Sequence, residues 1–414
     1  TVAENIFLGH YPRATGGWID WPDVRKRTRA LLDQLDTFDL DVDAKVLSLS
    51  VAQRQRVEIA KALSQDAQIL IMDEPTASLS EHETRTLFKI VRRLKAAGIS
   101  IVYISHRMAE IFELCDRVTV LRDGEIKITQ DCKNLTIPEL VDHMLGSSSA
   151  SAFAWQDRQI VFSDAPVLKV SNVCLPPRVR DVSFDVHPGE IVGLAGLMGS
   201  GRTEIAEAIF GRRAPTSGAI AIDGKPIARQ RDAIAAGVAL VPEDRRRMGL
   251  VLDHSVQSNI MLPNLDLFRR GAFVSDGNAA DVVRKMIDRF QIKTDSPAKV
   301  SRLLSGGNQQ KIVISKWLAR KPRLLILDEP TIGVDIGAKG EITTQIRELA
   351  KAGTAILIIS SELEELLAVS DRLLILHDGR IVQDIQRRDV QSEEELHHAV
   401  QGHLIDRTRH ATAV

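Results

Sequence analysis

Long apolar runs are missing from this chain of 414 residues. None approaches the ~18–20 residues that a membrane-spanning helix needs. The first residues, TVAENIFLGH, carry no basic n-region, no apolar h-region and no initiator methionine, so they do not read as a secretory signal. Cysteine is scarce: Cys115, Cys132 and Cys174 are odd in number and match no metal-ligand spacing. That excludes a disulfide framework and points to a reducing, cytosolic setting. An excess of one charge is also missing, since 54 Lys and Arg face 55 Asp and Glu for a net charge of −1. No global basic surplus argues for nucleic acid, although a local patch can hide in a neutral total. What remains is 44% apolar and 26% charged, an ordinary globular composition. The length suffices for two or three domains, each with its own core.

The chain repeats itself. AQILIMDEPTASLS (Ala67 to Ser80) returns as PRLLILDEPTIGVD (Pro322 to Asp335). One offset of 255 carries Asp73 to Asp328, Glu74 to Glu329, Gly98 to Gly353, Asp116 to Asp371 and Gly124 to Gly379. It also carries LSVAQ (Leu49 to Gln53) onto LSGGN (Leu304 to Asn308), and TVAENIFL pairs with SVQSNIML (Ser255 to Leu262) at an offset of 254. A register kept over more than a hundred residues marks a duplication. The small, polar, aperiodic stretch Gly146 to Pro166 reads as the connection. The expected organisation is a first copy over 1–146, a linker over 147–166, a second copy over 167–402 and a tail over 403–414. The second copy carries about 88 residues ahead of Ser255 that the first copy lacks.

The coarse reading is α/β. ILIMDEP and LLILDEP are short apolar runs ending in two carboxylates, as buried parallel strands do. ISIVYISH and TAILIIS are further strands, each after an amphipathic helix (Leu87 to Ala97; Ile342 to Ala352). Strand–helix alternation predicts mainly parallel sheets with helices packed on them.

The second copy's unmatched part holds GLMGSGRT, from Gly196 to Thr203, with the spacing of a phosphate-cradling loop. Its glycines (Gly196, Gly199, Gly201) let the backbone curl so that N–H groups face an anion, and the following helix adds its positive end. Ser200 lies within this cradle, and Thr203 offers a hydroxyl to Mg²⁺. Arg202 stands where a lysine normally reaches the β and γ phosphates. Its planar fork keeps the charge but prefers bidentate partners. At each DEP strand end the first carboxylate, Asp73 or Asp328, suits Mg²⁺. The second, Glu74 or Glu329, is placed to polarise an attacking water. Ser50 and Ser305 each open an amphipathic helix, where plain N-capping is one reading and γ-phosphate contact another. Gly306, Gly307 and Asn308 follow Ser305, whereas Val51 and Ala52 replace the glycines in the first copy. His106 follows a strand and could reach a γ-phosphate; its counterpart is Ser361. The basic run Arg245 to Arg247 reads as a solvated loop face.

Together these residues resemble the ATP-binding-cassette ATPases. More narrowly, TVAENIFLG, VEIAKAL, GSGRTE, PEDRRRMGL and LSGGNQQK are similar to the fused double-cassette ATPases of bacterial monosaccharide importers. The resemblance runs from Thr1 to about Gly402. It implies two tandem P-loop cassettes, each with a helical signature subdomain, that bind ATP and Mg²⁺. It further implies a peripheral position on the cytoplasmic face of the membrane and a separate membrane-spanning permease. A sugar-binding protein outside would be an indirect partner, and no nucleic acid is expected. In that family each ATP lies between one cassette's phosphate loop and the other's signature. One site would join Gly196 to Thr203, Asp328 and Glu329 to Leu49–Gln53. It carries Arg202, Val51, Ala52 and Ser361, with Glu243 where a glutamine is usual, so it is expected to hold ATP and hydrolyse poorly. The other would join Asp73, Glu74 and His106 to Leu304–Asn308. Its phosphate loop is expected in a segment ahead of Thr1, which falls inside a cassette, so the chain reads as N-terminally truncated. A twin-cassette protein outside transport and a nucleoside importer are the alternatives. The short serine-rich linker disfavours the first.

Overall fold

Apolar runs in the second half of the chain assemble into one central sheet. The computed structural model describes all residues except 77–78, 80, 106, 123, 146–154, 156, 159–164, 271–272, 275, 404 and 406–414. It divides into two units, Thr1–Met144 and Leu145–Val414.

In the second unit six strands lie in the order Val238–Val241, Leu324–Asp328, Ala355–Ile359, Ile191–Gly196, Arg372–His377 and Arg380–Gln386. Neighbours are parallel except for the last, antiparallel pair. Leu324–Asp328, Ala355–Ile359 and Ile191–Gly196 are buried at every position. Such uninterrupted burial belongs to parallel strands covered on both faces. Helix Arg202–Ile209 packs on Ile191–Gly196 and Leu324–Asp328, and Leu363–Val369 packs on Ile191–Gly196. Helix Ile336–Lys351 begins earlier than the apolar spacing suggests, because Asp335 caps it by accepting from Ala338 N.

A second sheet was not legible in advance. Val179–Val186, Leu168–Leu175, Ser217–Ile222 and Lys225–Pro226 form four antiparallel strands. Its buried positions join those of the central sheet in one apolar core. Helices Val256–Met261, Asp276–Arg289 and Gly306–Leu318 pack on one another as a helical region.

The first unit holds counterparts of four of the central sheet's strands, in two pieces. Ile69–Asp73 pairs with Ser100–Ile104 in parallel, and Arg117–Arg122 pairs with Glu125–Asp131 antiparallel. The corresponding strands of the second unit are joined through Ile191–Gly196, which has no counterpart among the described residues of the first. The first unit's core divides accordingly, one cluster running from Val2 to Leu94 and another gathering Ile111, Val118, Val120, Cys132, Leu135 and Leu140. Ile69, Ile71, Val102 and Ile104 are 64%, 66%, 48% and 46% exposed, whereas Leu324, Ile326, Leu357 and Ile359 are at most 1% exposed. Helix Glu81–Ala96 connects the first unit's parallel strands, as expected.

Candidate nucleotide site

Strand Ile191–Gly196 delivers the glycine-rich turn at its carboxyl end, where α/β sheets place their ligands. A Cβ on Gly196 would lie 2.6 Å from Leu376 O and 2.8 Å from Ser200 Oγ. Gly199 and Gly201 have φ of +83° and +109°, a region that side chains resist. Gly201 caps helix Arg202–Ile209, so the curled backbone runs directly into a helix N-terminus. Ser200 Oγ is buried and makes no hydrogen bond within the protein. These features fit a phosphate cradle.

Arg202 turns inward. It is 8% exposed; Nη1 donates to Ser360 O at 2.6 Å, and Nη2 lies 3.4 Å from Glu329 Oε1. Its fork is thus occupied by a carbonyl and a carboxylate at the ends of two adjacent strands. Glu329 sits at φ 50° with its N–H donating to Ile359 O at 2.8 Å. Its Oε2 accepts from Ser361 N at 2.9 Å and from Ser361 Oγ at 3.0 Å. Burial pushes the Glu329 carboxyl up, and Ser361 and Arg202 pull it back. Both of its oxygens are thus already engaged within the protein, one by Arg202 and the other by Ser361.

Asp328 is 2% exposed. Burial pushes it up to about 7; the Thr203 hydroxyl and Arg202 oppose that, while Glu329 and Glu243 add to it. Its Oδ1 has no hydrogen-bond partner. A buried carboxylate with a partnerless oxygen beside a threonine hydroxyl fits a divalent cation. Among the described residues no three His, Cys, Asp or Glu side chains form a metal cage. Mg²⁺ ordinarily takes one or two carboxylates and completes its shell with water and phosphate oxygens.

The signature residues cap helices in both units. Ser305 caps Gly306–Leu318, accepting from Asn308 N at 3.4 Å and Asn308 Nδ2 at 2.9 Å. Asn308 Oδ1 in turn accepts from Lys293 N at 2.8 Å. Ser50 caps Val51–Leu63 reciprocally with Gln53, at 3.0 Å and 3.2 Å. A Cβ on Gly306 would lie 2.7 Å from Arg245 Nη2, and one on Gly307 would lie 2.9 Å from Ala338 Cβ. Close packing inside the second unit therefore already demands both glycines. This corrects the solvated reading of Arg245, whose guanidinium donates to Ile332 O at 2.7 Å and Gly333 O at 3.0 Å. Arg246 and Arg247 are exposed as expected.

In the first unit Asp73 ends strand Ile69–Asp73. Glu74 follows at φ 46°, with its N–H donating to Ile104 O at 2.9 Å, a backbone arrangement matching that of Glu329. His106 and Ser80 lie outside the described residues. Thus the second unit brings Gly196–Thr203, Asp328, Glu329 and Glu243 together, while Ser305–Asn308 packs against Arg245 and Asp335. The sequence reading missed Ser360 and Ser361 as the groups that occupy Arg202 and Glu329. The only signal was the serine that replaces His106 in register.

The family model described as ABC transporter matches residues 1–77 and 179–332. The ribose import ATP-binding protein of Geobacillus kaustophilus is 45% identical over 97% of this chain and 81% of its own length. A putative ribose/galactose/methyl galactoside import ATP-binding protein of Agrobacterium fabrum is 45% identical over 96% of this chain and 79% of its own. The ribose import ATP-binding protein of Shouchella clausii is 43% identical over 97% and 80%. A solved ATP-binding subunit of an ABC transporter aligns with 57% of this chain and 99% of its own length, at 24% identity and a TM-score of 0.48. The chain belongs to the ABC transporter family, as an ATP-binding cassette protein.

Proposed function

We propose that this chain is the ATP-hydrolysing subunit of a bacterial carbohydrate importer, working from the cytoplasmic face of the membrane on a separate permease. The observation that carries this reading is the glycine-rich cradle set beside the buried Asp328–Glu329 pair, in a chain 45% identical to a ribose import ATP-binding protein. No helix among the described residues is long and apolar enough to cross a membrane, which agrees with a pore supplied by another chain. A sugar of the ribose or galactose class is the cargo that the relatives' names favour.

The two sites are unequal in this proposal. When bound, Mg·ATP supplies the γ-phosphoryl group and the cation that neutralises it. At the second unit's cradle, the N–H groups of Gly196 to Thr203 would hold phosphates, and Thr203 and Asp328 would hold Mg²⁺. Glu329 is the carboxylate that would polarise a water there, but it is already bonded to Ser361 and paired with Arg202, so this site retains nucleotide more than it turns it over. In the first unit Asp73 and Glu74 stand at the end of strand Ile69–Asp73 as Asp328 and Glu329 do in the second. There Glu74 serves as the acceptor of the water's proton.

The test compares two substitutions in the protein bound to its permease. Glu74→Gln should lower ATP turnover at least ~100-fold, the scale of general-base loss. Glu329→Gln should change it only a few-fold. A Glu329→Gln protein that loses all turnover while Glu74→Gln keeps it would reverse the assignment. Copurification with a soluble complex in place of a multi-span permease would defeat the importer reading.

A further inference from the structure

The donors around the phosphate cradle fall into two groups. On the loop, the Ser200 hydroxyl is buried without a hydrogen bond. The backbone beside it curls through Gly199 and Gly201 into the N-terminus of helix Arg202–Ile209. At the strand ends, Arg202 and Ser361 are spent on the protein itself. Arg202 Nη1 donates to Ser360 O at 2.6 Å, and Nη2 lies 3.4 Å from Glu329 Oε1. Ser361 N and Oγ both donate to Glu329 Oε2, at 2.9 Å and 3.0 Å.

Ser360 and Glu329 directly follow strands Ala355–Ile359 and Leu324–Asp328, and Arg202 opens the helix that follows Ile191–Gly196. These are three consecutive strands of the central sheet, so one side chain ties their carboxyl ends together. A planar fork suits that task, because it meets two acceptors side by side and keeps its charge when buried. Moving it onto a phosphate would give up Ser360 O and take the cation away from Glu329, which is only 8% exposed. Removing one partner of a buried pair leaves an uncompensated charge, a strongly unfavourable change.

We propose that Arg202 is a positioning residue that ties Glu329 to the sheet and does not bind phosphate, so the cradle takes nucleoside diphosphates as tightly as triphosphates. The inference rests on the reading of Gly196–Thr203 as a nucleotide site and goes on to which nucleotide that site prefers. In loops of this spacing the backbone cradles the α and β phosphates, and the charged residue reaches the β and γ phosphates. With Arg202 committed to Glu329 and Ser360, the second of those contacts is lost, and the backbone N–H groups and Ser200 serve a diphosphate as well as a triphosphate. An arginine in place of lysine therefore changes the residue's task, from gripping the ligand to bracing the protein.

The test is equilibrium dialysis of the whole chain, whose sequence holds one loop of this spacing. The probes are labelled ADP and the non-hydrolysable triphosphate adenylyl imidodiphosphate, each with Mg²⁺. Their Kd values should agree within about threefold, and Arg202→Met should keep that ratio. Glu329→Gln should release the arginine, so that the triphosphate binds at least about tenfold tighter than ADP through a new charge-assisted contact. Adding Arg202→Met to Glu329→Gln should abolish that gain. A parent protein that prefers the triphosphate about tenfold, with Arg202→Met erasing the preference, overturns the proposal and leaves the nucleotide site standing. Absence of the Glu329→Gln gain, or a gain that survives Arg202→Met, overturns it as well. The parent and Glu329→Gln ratios decide the matter even where Arg202→Met fails to fold. If the parent binds neither nucleotide, the reading of the site falls and this inference with it.

Discussion

Glu110 and Glu365 occupy one position in the two units and meet opposite surroundings. Glu110 accepts from Thr76 Oγ1 at 2.7 Å, Tyr103 OH at 2.8 Å, Ser105 Oγ at 3.1 Å and Arg107 Nη1 at 3.1 Å. Two of those partners change in register, Tyr103 to Ile358 and Arg107 to Glu362. Glu365 is left with no hydrogen bond of normal geometry on either oxygen. Its burial pushes it up to about 7, an effect that Ser360 and Lys339 only partly offset. A carboxyl is therefore buried in both copies, ringed by donors in one and without them in the other. The unit with the split core holds this polar network, and the unit with the continuous core lacks it.

The sharpest way to break the comparison uses a glycine pair. Gly124 and Gly379 share positive φ, at 79° and 76°. A Cβ on Gly379 would lie 2.0 Å from Arg178 O, whereas one on Gly124 would meet nothing within 4 Å. Gly379→Ala should cost more than ~3 kcal/mol of second-unit stability, from overpacking added to the left-handed backbone. Gly124→Ala should cost about 1 kcal/mol. Equal losses in urea titrations would show that the open surroundings of Gly124 are filled in solution.

The glutamates come next. The folded value of Glu365 lies above the ordinary 4.5, so the stability tied to its neutral form is present at low pH and is lost as pH rises from about 4.5 through about 7. Glu365→Gln should therefore melt like the parent at pH 4 and gain on the order of 3 kcal/mol at pH 8. Glu110→Gln should lose about 2 kcal/mol at pH 8, because one of its donors would then face an amide N–H. Matching signs would end the contrast between the two sites.

The smallest effect concerns the caps. Ser50→Ala and Ser305→Ala should each cost about 1 kcal/mol, read by thermal unfolding. Only Ser305→Ala should also lower ATP turnover in the permease-bound protein. If neither variant changes turnover, both serines act as caps alone.

The parallel strands were legible because all-apolar runs ending in two carboxylates leave few other readings, and their repetition at one offset removed the rest. The antiparallel sheet escaped because its strands mix buried and exposed positions and break register, as between Val170 and Val173. The phosphate loop was legible by spacing, but the direction of Arg202 was not. Its acceptor Ser360 lies 158 residues away and binds through a backbone carbonyl, for which no residue type is a marker. Arg245 escaped for the same reason, since Ile332 O and Gly333 O lie 87 and 88 residues downstream. Of the described residues between 147 and 166, Trp155 and Arg158 bond to Ser370, Asp371 and Gly189, contacts that leave no periodic pattern in the sequence.

The left-handed backbone at Glu74 and Glu329 has a mechanical consequence. Each residue is bolted through its N–H to the last carbonyl of the neighbouring strand, so both acids leave the sheet on the same bearing. An aspartate substituted at either place would start from the same mount and stop one methylene short, with no main-chain freedom to make up the distance. The strain of that mount, roughly 1 kcal/mol per residue, is carried in duplicate, so the units diverge in what each acid is aimed at and agree in how it is aimed.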